Sequence, residues 1–220
     1  MINMEQAETA EQQVPIDAKK LTFVLDNCDC VFPREAERPN DQSPFVPPDS
    51  ERLYDISLLY LGNRRVAEDP ALLRLLGCTH VVNAAALQVA SALATEEGGP
   101  RYLQLDLDDR VETVDAVATR AIFSAAADFI DEAMCKASAV VYVHCAGGVS
   151  RSASIVLAWL VLKRGMKLCD AWRMVQAQRP VIGPNASFMN VLLDLENETT
   201  GKETMQRPLH AQQRGYTCIE

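Results

Sequence analysis

The sequence predicts an α/β domain: a central mixed, mostly parallel sheet flanked by helices, with short flexible tails. Three observations carry this reading. Short β-branched or alternating apolar runs at 55–63, 79–82, 101–107 and 140–143 have the length and composition of strands rather than helices. Segments with helical apolar spacing separate them, and strands that alternate with helices build parallel sheets. The stretch 152–162 is apolar almost all round, which marks a helix buried inside a domain. With 220 residues and 48% apolar composition, the chain has material for one such domain plus tails.

In chain order, residues 1–20 are polar and aperiodic and are expected to be a disordered N-terminal tail. Residues 21–52 read as an N-terminal extension. Within it, 21–32 predicts a short strand and turn that adds to the edge of the domain, with a docking peptide for a partner as the sharper alternative. The five prolines of 33–50 then predict an extended linker or wrapped loop. The compact domain is expected at 53–197. It starts with a strand closed by Gly62-Asn63, followed by Asp69 as N-cap and Pro70 in the first turn of a helix over 71–76. The strand 79–82 is next, then a loop over 88–100. From Arg101, Leu103, Leu105 and Leu107 alternate with Gln104, Asp106 and Asp108 before Asp109 and Arg110 leave the strand. Apolar residues at 122, 126, 129, 130 and 133 predict a helix over 118–137. After the buried helix, Gly165 is a cap, and helical spacing returns at Leu168–Val175 and Phe188–Leu195. The prolines of 178–185 make a rigid corner between those two. Residues 198–220 are polar and are expected to be a flexible C-terminal tail.

The chemistry concentrates where strand 140–143 turns into the buried helix. Loop amides and first-turn amides there lack internal partners and point at one spot, so the order strand, tight loop, helix makes an anion site. Gly147 and Gly148 are expected to supply positive φ, curling Ala146, Gly147, Gly148, Val149 and Ser150 into a concave phosphate-binding nest. Cys145 faces it from the strand end, where the helix dipole, the amides and Arg151 stabilise a thiolate. Arg151 offers a planar fork that matches two phosphoryl oxygens. His144 is adjacent in the strand, so its side chain points to the opposite face. A nucleotide-binding P-loop would need Gly-Lys-Ser/Thr, and this loop ends in Ser-Arg-Ser.

A net charge of −9 disfavours nucleic acid and anionic membranes as partners. The seven cysteines show no paired spacing, and no signal peptide precedes them, which points to a reducing compartment, the cytoplasm or the nucleus. The three histidines cluster with nothing and Cys28-x-Cys30 has no second ligand pair, so neither a metal nor another cofactor is expected.

The run His144-Cys145-x-x-Gly148-x-x-Arg151-Ser152 resembles the signature of the cysteine-based protein tyrosine phosphatases. The Tyr-Leu-Gly-Asn run (60–63), the Thr-His-Val-Val-Asn run (79–83) and the Arg-Pro-Val-Ile-Gly-Pro-Asn corner (179–185) resemble the small atypical dual-specificity phosphatases over roughly 53–196. The resemblance implies a protein tyrosine phosphatase-like fold, with 53–197 as the catalytic domain. It implies hydrolysis of phosphotyrosine and phosphoserine/phosphothreonine in phosphorylated protein substrates through a phosphocysteine. It also implies Cys145 as nucleophile, Arg151 on the phosphoryl oxygens, Asp109 as general acid and then base, Ser152 as donor to the departing thiolate, and His144 holding the backbone behind Cys145. The connection after Asp109 is a few residues longer than in the family, which keeps Glu112 and Asp115 within range as acids. Two alternatives stand beside this: a catalytically weak phosphate-binding scaffold, and a phosphatase of RNA 5′ ends or phosphoinositides. The sequence carries no signal for oligomeric state.

Overall fold

The computed structural model describes the backbone of residues 28–32 and all of 58–219 except 90, 92, 95, 96 and 137. The tail expected at 1–20 and the proline-rich linker expected at 33–50 lie outside these residues. Strands β1 (Cys28–Phe32), β2 (Leu58–Gly62), β3 (His80–Asn83), β4 (Arg101–Gln104) and β5 (Val140–His144) form one sheet in the order β1-β2-β5-β3-β4. β2, β5, β3 and β4 run parallel, and β1 pairs antiparallel with β2, so the sheet is mixed and mostly parallel as the sequence predicts. The added edge strand is real but falls at 28–32, and 21–27 lie outside the described residues.

Register decides where the strands end. Gly62 and Asn83 both sit opposite His144, so three strand C-termini finish at one level and their loops share one rim. Binding crevices of parallel sheets lie outside such carboxyl ends. Strand alternation sends Leu59, Leu61, Val82, Val141 and Val143 into the main core and Val81 and Tyr142 into a smaller one.

On the small side, α1 (Arg64–Ala67) and α2 (Pro70–Leu75) bury Val66, Ala67, Leu72 and Leu73. Asp69 caps α2 by accepting from the Ala71 amide at 2.8 Å, with Pro70 in its first turn. The short helix α1 has no counterpart in the sequence reading, because four residues with one apolar pair show no period; Asn63 caps it. The opposite face carries α3 (Ala116–Met134), α4 (Arg151–Arg164), α5 (Leu168–Gln178) and α6 (Ala186–Thr200). α3 starts two residues before the helix that the apolar spacing predicts over 118–137, since Asp115 accepts from the amides of Val117 and Ala118 and fixes its end. α4 is the hub. Every residue from Arg151 to Val161 is buried, Trp159 completely, as an all-apolar helix requires. Burying each large side chain here contributes roughly 1.5–3 kcal/mol. Gly165, at φ +62°, closes it.

Two expectations need correction. The flexible tail at 198–220 is instead the last turn of α6 followed by an ordered strap. Met205 is fully buried, Thr204 nearly so, and Met205 bridges to Cys218 across an antiparallel contact. Average polarity hid three anchors, Met205, Tyr216 and Cys218, that pack on or against the core. The cysteines are not all unpaired either: Cys169 of α5 and Cys218 form a disulfide, 49 residues apart in sequence, while Cys135 and Cys145 are free thiols. Only the return of the strap across α5 brings those two sulfurs together. Among the described residues, no helix is long and apolar enough to cross a membrane.

Candidate active site

β5 delivers Cys145 to the rim and α4 begins at Arg151, so loop 146–150 must reverse the chain within five residues. The carbonyls of 146–149 meet partners outside the loop. Ala146 O accepts from Arg64 N at 3.3 Å, Gly148 O from Arg179 Nε at 2.8 Å, and Val149 O from Gly183 N at 2.9 Å. Arg179 Nη2 also reaches Gly147 O at 3.5 Å. Outward carbonyls leave the amides to turn inward, which is what a nest for an anion requires. Only one of the two glycines supplies positive φ. Gly148 sits at φ +67°, and a Cβ there would lie 2.5 Å from Gly62 O; Gly147 is not in that region and has room for one. The expectation for Gly147 is therefore corrected: the turn is made at Gly148 alone, against the end of β2.

Cys145 is 2% exposed. Burial alone would push its thiol up. Hydrogen bonds from Ser152 Oγ and from the amides of Ser152, Gly148 and Val149 outweigh that, and the thiol lies below its ordinary value. Two of these contacts are Gly148 N to Sγ at 3.2 Å and Ser152 Oγ to Sγ at 3.3 Å. Arg151 is buried beside them. Its Nη1 donates to Gln88 Oε1 at 3.1 Å and to Leu107 O at 3.4 Å, while its Nε is buried without a hydrogen-bond partner among the described residues. A buried donor of this kind is costly unless an acceptor arrives. His144 lies behind the loop, fully buried and stacked on Tyr142 at 5.5 Å. Neither ring nitrogen has a well-formed hydrogen bond among the described residues, although the Cys145 backbone is near enough to act on the ring. Burial brings its pKa down to about 4, slightly opposed by the Cys145 backbone.

Asp109 reaches the same rim from the segment after β4. Its Oδ1 accepts from Ser150 Oγ at 2.5 Å and from Asn185 Nδ2 at 3.0 Å. The other acids are occupied elsewhere. Asp108 is clamped by Arg110 and Thr113, whose hydrogen bonds hold its carboxyl well below the usual carboxylate range. Asp115 caps α3, and Glu112 is exposed in the 3-10 turn Val111–Thr113. A cleft of about 270 Å³ opens beside Asp109 between 109–112 and 211–214. The reading of the sequence misses four residues that complete the site. Arg179 and Asn185 lie in the rigid corner and were legible only as a bend, although two polar residues bracketing two prolines were the available signal. Gln88 and Arg214 carry none. Among the described residues, no group of three His, Cys, Asp or Glu side chains could hold a metal ion.

A family model described as dual specificity phosphatase, catalytic domain, matches residues 59–198. Dual specificity protein phosphatase 26 of Bos taurus is 40% identical over 139 residues, covering 63% of this chain and 64% of the relative, so this chain spans under two thirds of that relative's length. The structure of human tyrosine phosphatase-like serine/threonine/tyrosine-interacting protein is similar at 29% identity and TM-score 0.53, over 64% of this chain and 91% of that one. That of human DUSP28 is similar at 26% identity and TM-score 0.52, over 65% and 94%. The matched residues span β2 through α6 and contain both the Cys145 loop and Asp109, and on that match the chain belongs to the dual specificity phosphatase catalytic-domain family.

Proposed function

We propose that this chain is a cysteine-dependent protein phosphatase that hydrolyses phosphotyrosine and phosphoserine/phosphothreonine. The observation that carries the reading is the buried Cys145 Sγ under the Gly148 amide and Ser152 hydroxyl, beside an Arg151 Nε that lacks an acceptor. Sγ attacks phosphorus as a thiolate, a phosphorus–sulfur bond forms, and the ester phosphorus–oxygen bond breaks. Asp109 gives its proton to the leaving oxygen. Water then attacks phosphorus, Asp109 takes its proton, and the sulfur leaves with Ser152 Oγ donating to it. Arg151 and the amides of 146–150 meet the charge on the three equatorial oxygens, so the chemistry needs neither metal nor cofactor. His144, neutral at physiological pH, fills space behind the loop.

In this reading the catalytic unit runs from near residue 53 to 197, with 21–52 as an extension. The substrates are phosphorylated proteins in signalling. Cys145 must stay reduced to act, which favours the cytoplasm or nucleus; the Cys169–Cys218 pair there follows the local redox poise. The test is turnover of a tyrosine-phosphorylated and a threonine-phosphorylated peptide without added metal. A phosphoinositide and a triphosphorylated RNA are assayed beside them. The expected result is hydrolysis of both peptides and loss of all turnover in Cys145→Ser with vanadate binding kept. Hydrolysis of the lipid or RNA alone would replace the protein-substrate reading, and full activity in Cys145→Ser would overturn the covalent mechanism.

A further inference from the structure

The C-terminal strap is built into the mount of Asp109. It leaves α6 at Gly201 and is first held by Glu196, whose fully buried carboxylate accepts from Thr204 N at 2.8 Å, Thr204 Oγ1 at 2.6 Å and Leu168 N at 2.7 Å. Gln206 N then donates to Thr217 O and Ile219 N to Thr204 O, folding the strap back on itself. The return limb is fastened at two points. Cys218 is bonded to Cys169 of α5, and Tyr216 meets the Trp172 ring edge-on at 5.4 Å while its hydroxyl donates to Pro184 O at 3.0 Å. Pro184 precedes Asn185, the residue that holds Asp109.

Arg214 comes next along this limb. Its Nη1 lies 3.4 Å from Ser150 Oγ, 3.4 Å from Gly183 O and 4.0 Å from Asp109 Oδ1, and its side chain is 47% exposed. Met205 and Tyr216 need no explanation beyond apolar burial. Arg214 does, because ordering so long a side chain at a half-exposed position costs about as much as a surface ion pair returns. All three of its neighbours belong to the phosphate loop, the corner or the acid. Among the described residues, the side-chain contacts of Asp109 fall on Oδ1: Ser150 hydroxyl, Asn185 amide and Arg214 guanidinium. In a protonated carboxyl group the carbonyl oxygen accepts and the hydroxyl oxygen donates. Donors gathered on Oδ1 therefore keep the proton on Oδ2.

We propose that Arg214 is a positioning residue for the general acid, carried to the site by the disulfide-tied strap, and that it helps select Oδ2 as the oxygen that protonates the leaving group. The inference rests on the phosphatase reading above and deepens it. Reducing the bridge with a dithiol breaks the sulfur–sulfur bond to two thiols, oxidises the dithiol to a disulfide, and removes one of the two fastenings of the limb that bears Arg214.

The measurement is kcat on a phosphothreonine peptide, whose alkoxide leaves poorly, against kcat on 4-nitrophenyl phosphate, whose leaving group hardly needs an acid. In Arg214→Gln the ratio of the two is expected to fall on the order of tenfold. Arg214→Lys should restore much of it, and Cys218→Ser should shift it the same way. An unchanged ratio in Arg214→Gln beside a lowered one in Asp109→Asn would overturn the role of Arg214 and leave the acid in place. An unchanged ratio in Asp109→Asn would overturn the acid assignment and this proposal with it. Amide exchange over 109–113 tests positioning without turnover. Faster exchange in Arg214→Gln than in the parent chain supports it, and equal exchange overturns it.

Discussion

A single buried sulfur shows how opposing small effects set the tendency to ionise. Desolvation alone would push the Cys145 thiol up, and four hydrogen bonds outweigh it and bring the thiol below its ordinary value. His144, one residue earlier, has the opposite balance: its burial outweighs the small opposing effect of the Cys145 backbone, so it stays neutral with a pKa of about 4. The sign follows directly. The unfolded chain, with histidine near 6.5, binds a proton that the folded chain refuses. Stability is therefore full above about pH 6.5 and falls as pH drops toward 4, by up to about 3 kcal/mol. His80 acts the same way, lowered by burial and by Lys136 and Arg101. The expected result is a melting temperature that declines between pH 6.5 and 4 and does so less steeply in His144→Gln. An identical slope in the variant would mean that His144 gains its proton without cost.

At the scale of elements, the loop between β5 and α4 is held from outside by three segments, the start of α1, the corner at 179–183 and the end of β2. The two adjacent glycines should therefore respond differently to a methyl group. Gly148→Ala places a Cβ against Gly62 O and Arg179 in a left-handed conformation, which costs ~1–3 kcal/mol of backbone strain before the clash is counted. Gly147→Ala meets nothing closer than Val149 Cγ2 at 3.7 Å. Urea unfolding should show a large drop in midpoint for the first and little change for the second. Comparable losses in both would mean that the whole loop, rather than one contact, is strained.

For the molecule as a whole, the strap beyond residue 200 is expected to be structural. Removing 201–220 takes away the Cys169–Cys218 bridge, worth about 4 kcal/mol by loop closure over 49 residues. It also strips two of three donors from the buried Glu196 carboxylate, at about 1–3 kcal/mol for each unmet bond. Differential scanning calorimetry of the chain truncated after Thr200 should show a lower melting temperature under non-reducing conditions. Equal melting would make the strap an ornament of the fold.

The sequence alone determined whatever depends on neighbours along the chain. The Cys145 loop, the alternation of Leu103, Leu105 and Leu107, the all-apolar α4 and the capped start at Asp69-Pro70 are each local patterns, because strand and helix periods and turn chemistry are set within a few residues. The proposed site residues Cys145, Arg151 and Asp109 were legible for the same reason, through a contiguous motif and a strand end. Tertiary structure decided the rest. Gln88 on Arg151, Arg179 on the loop carbonyls, Asn185 and Arg214 on Asp109, and Cys169 with Cys218 join positions 31 to 105 residues apart. No period or spacing encodes such pairs. They exist because the parallel sheet aligns three strand ends and because the strap folds back across α5 to the rim they form.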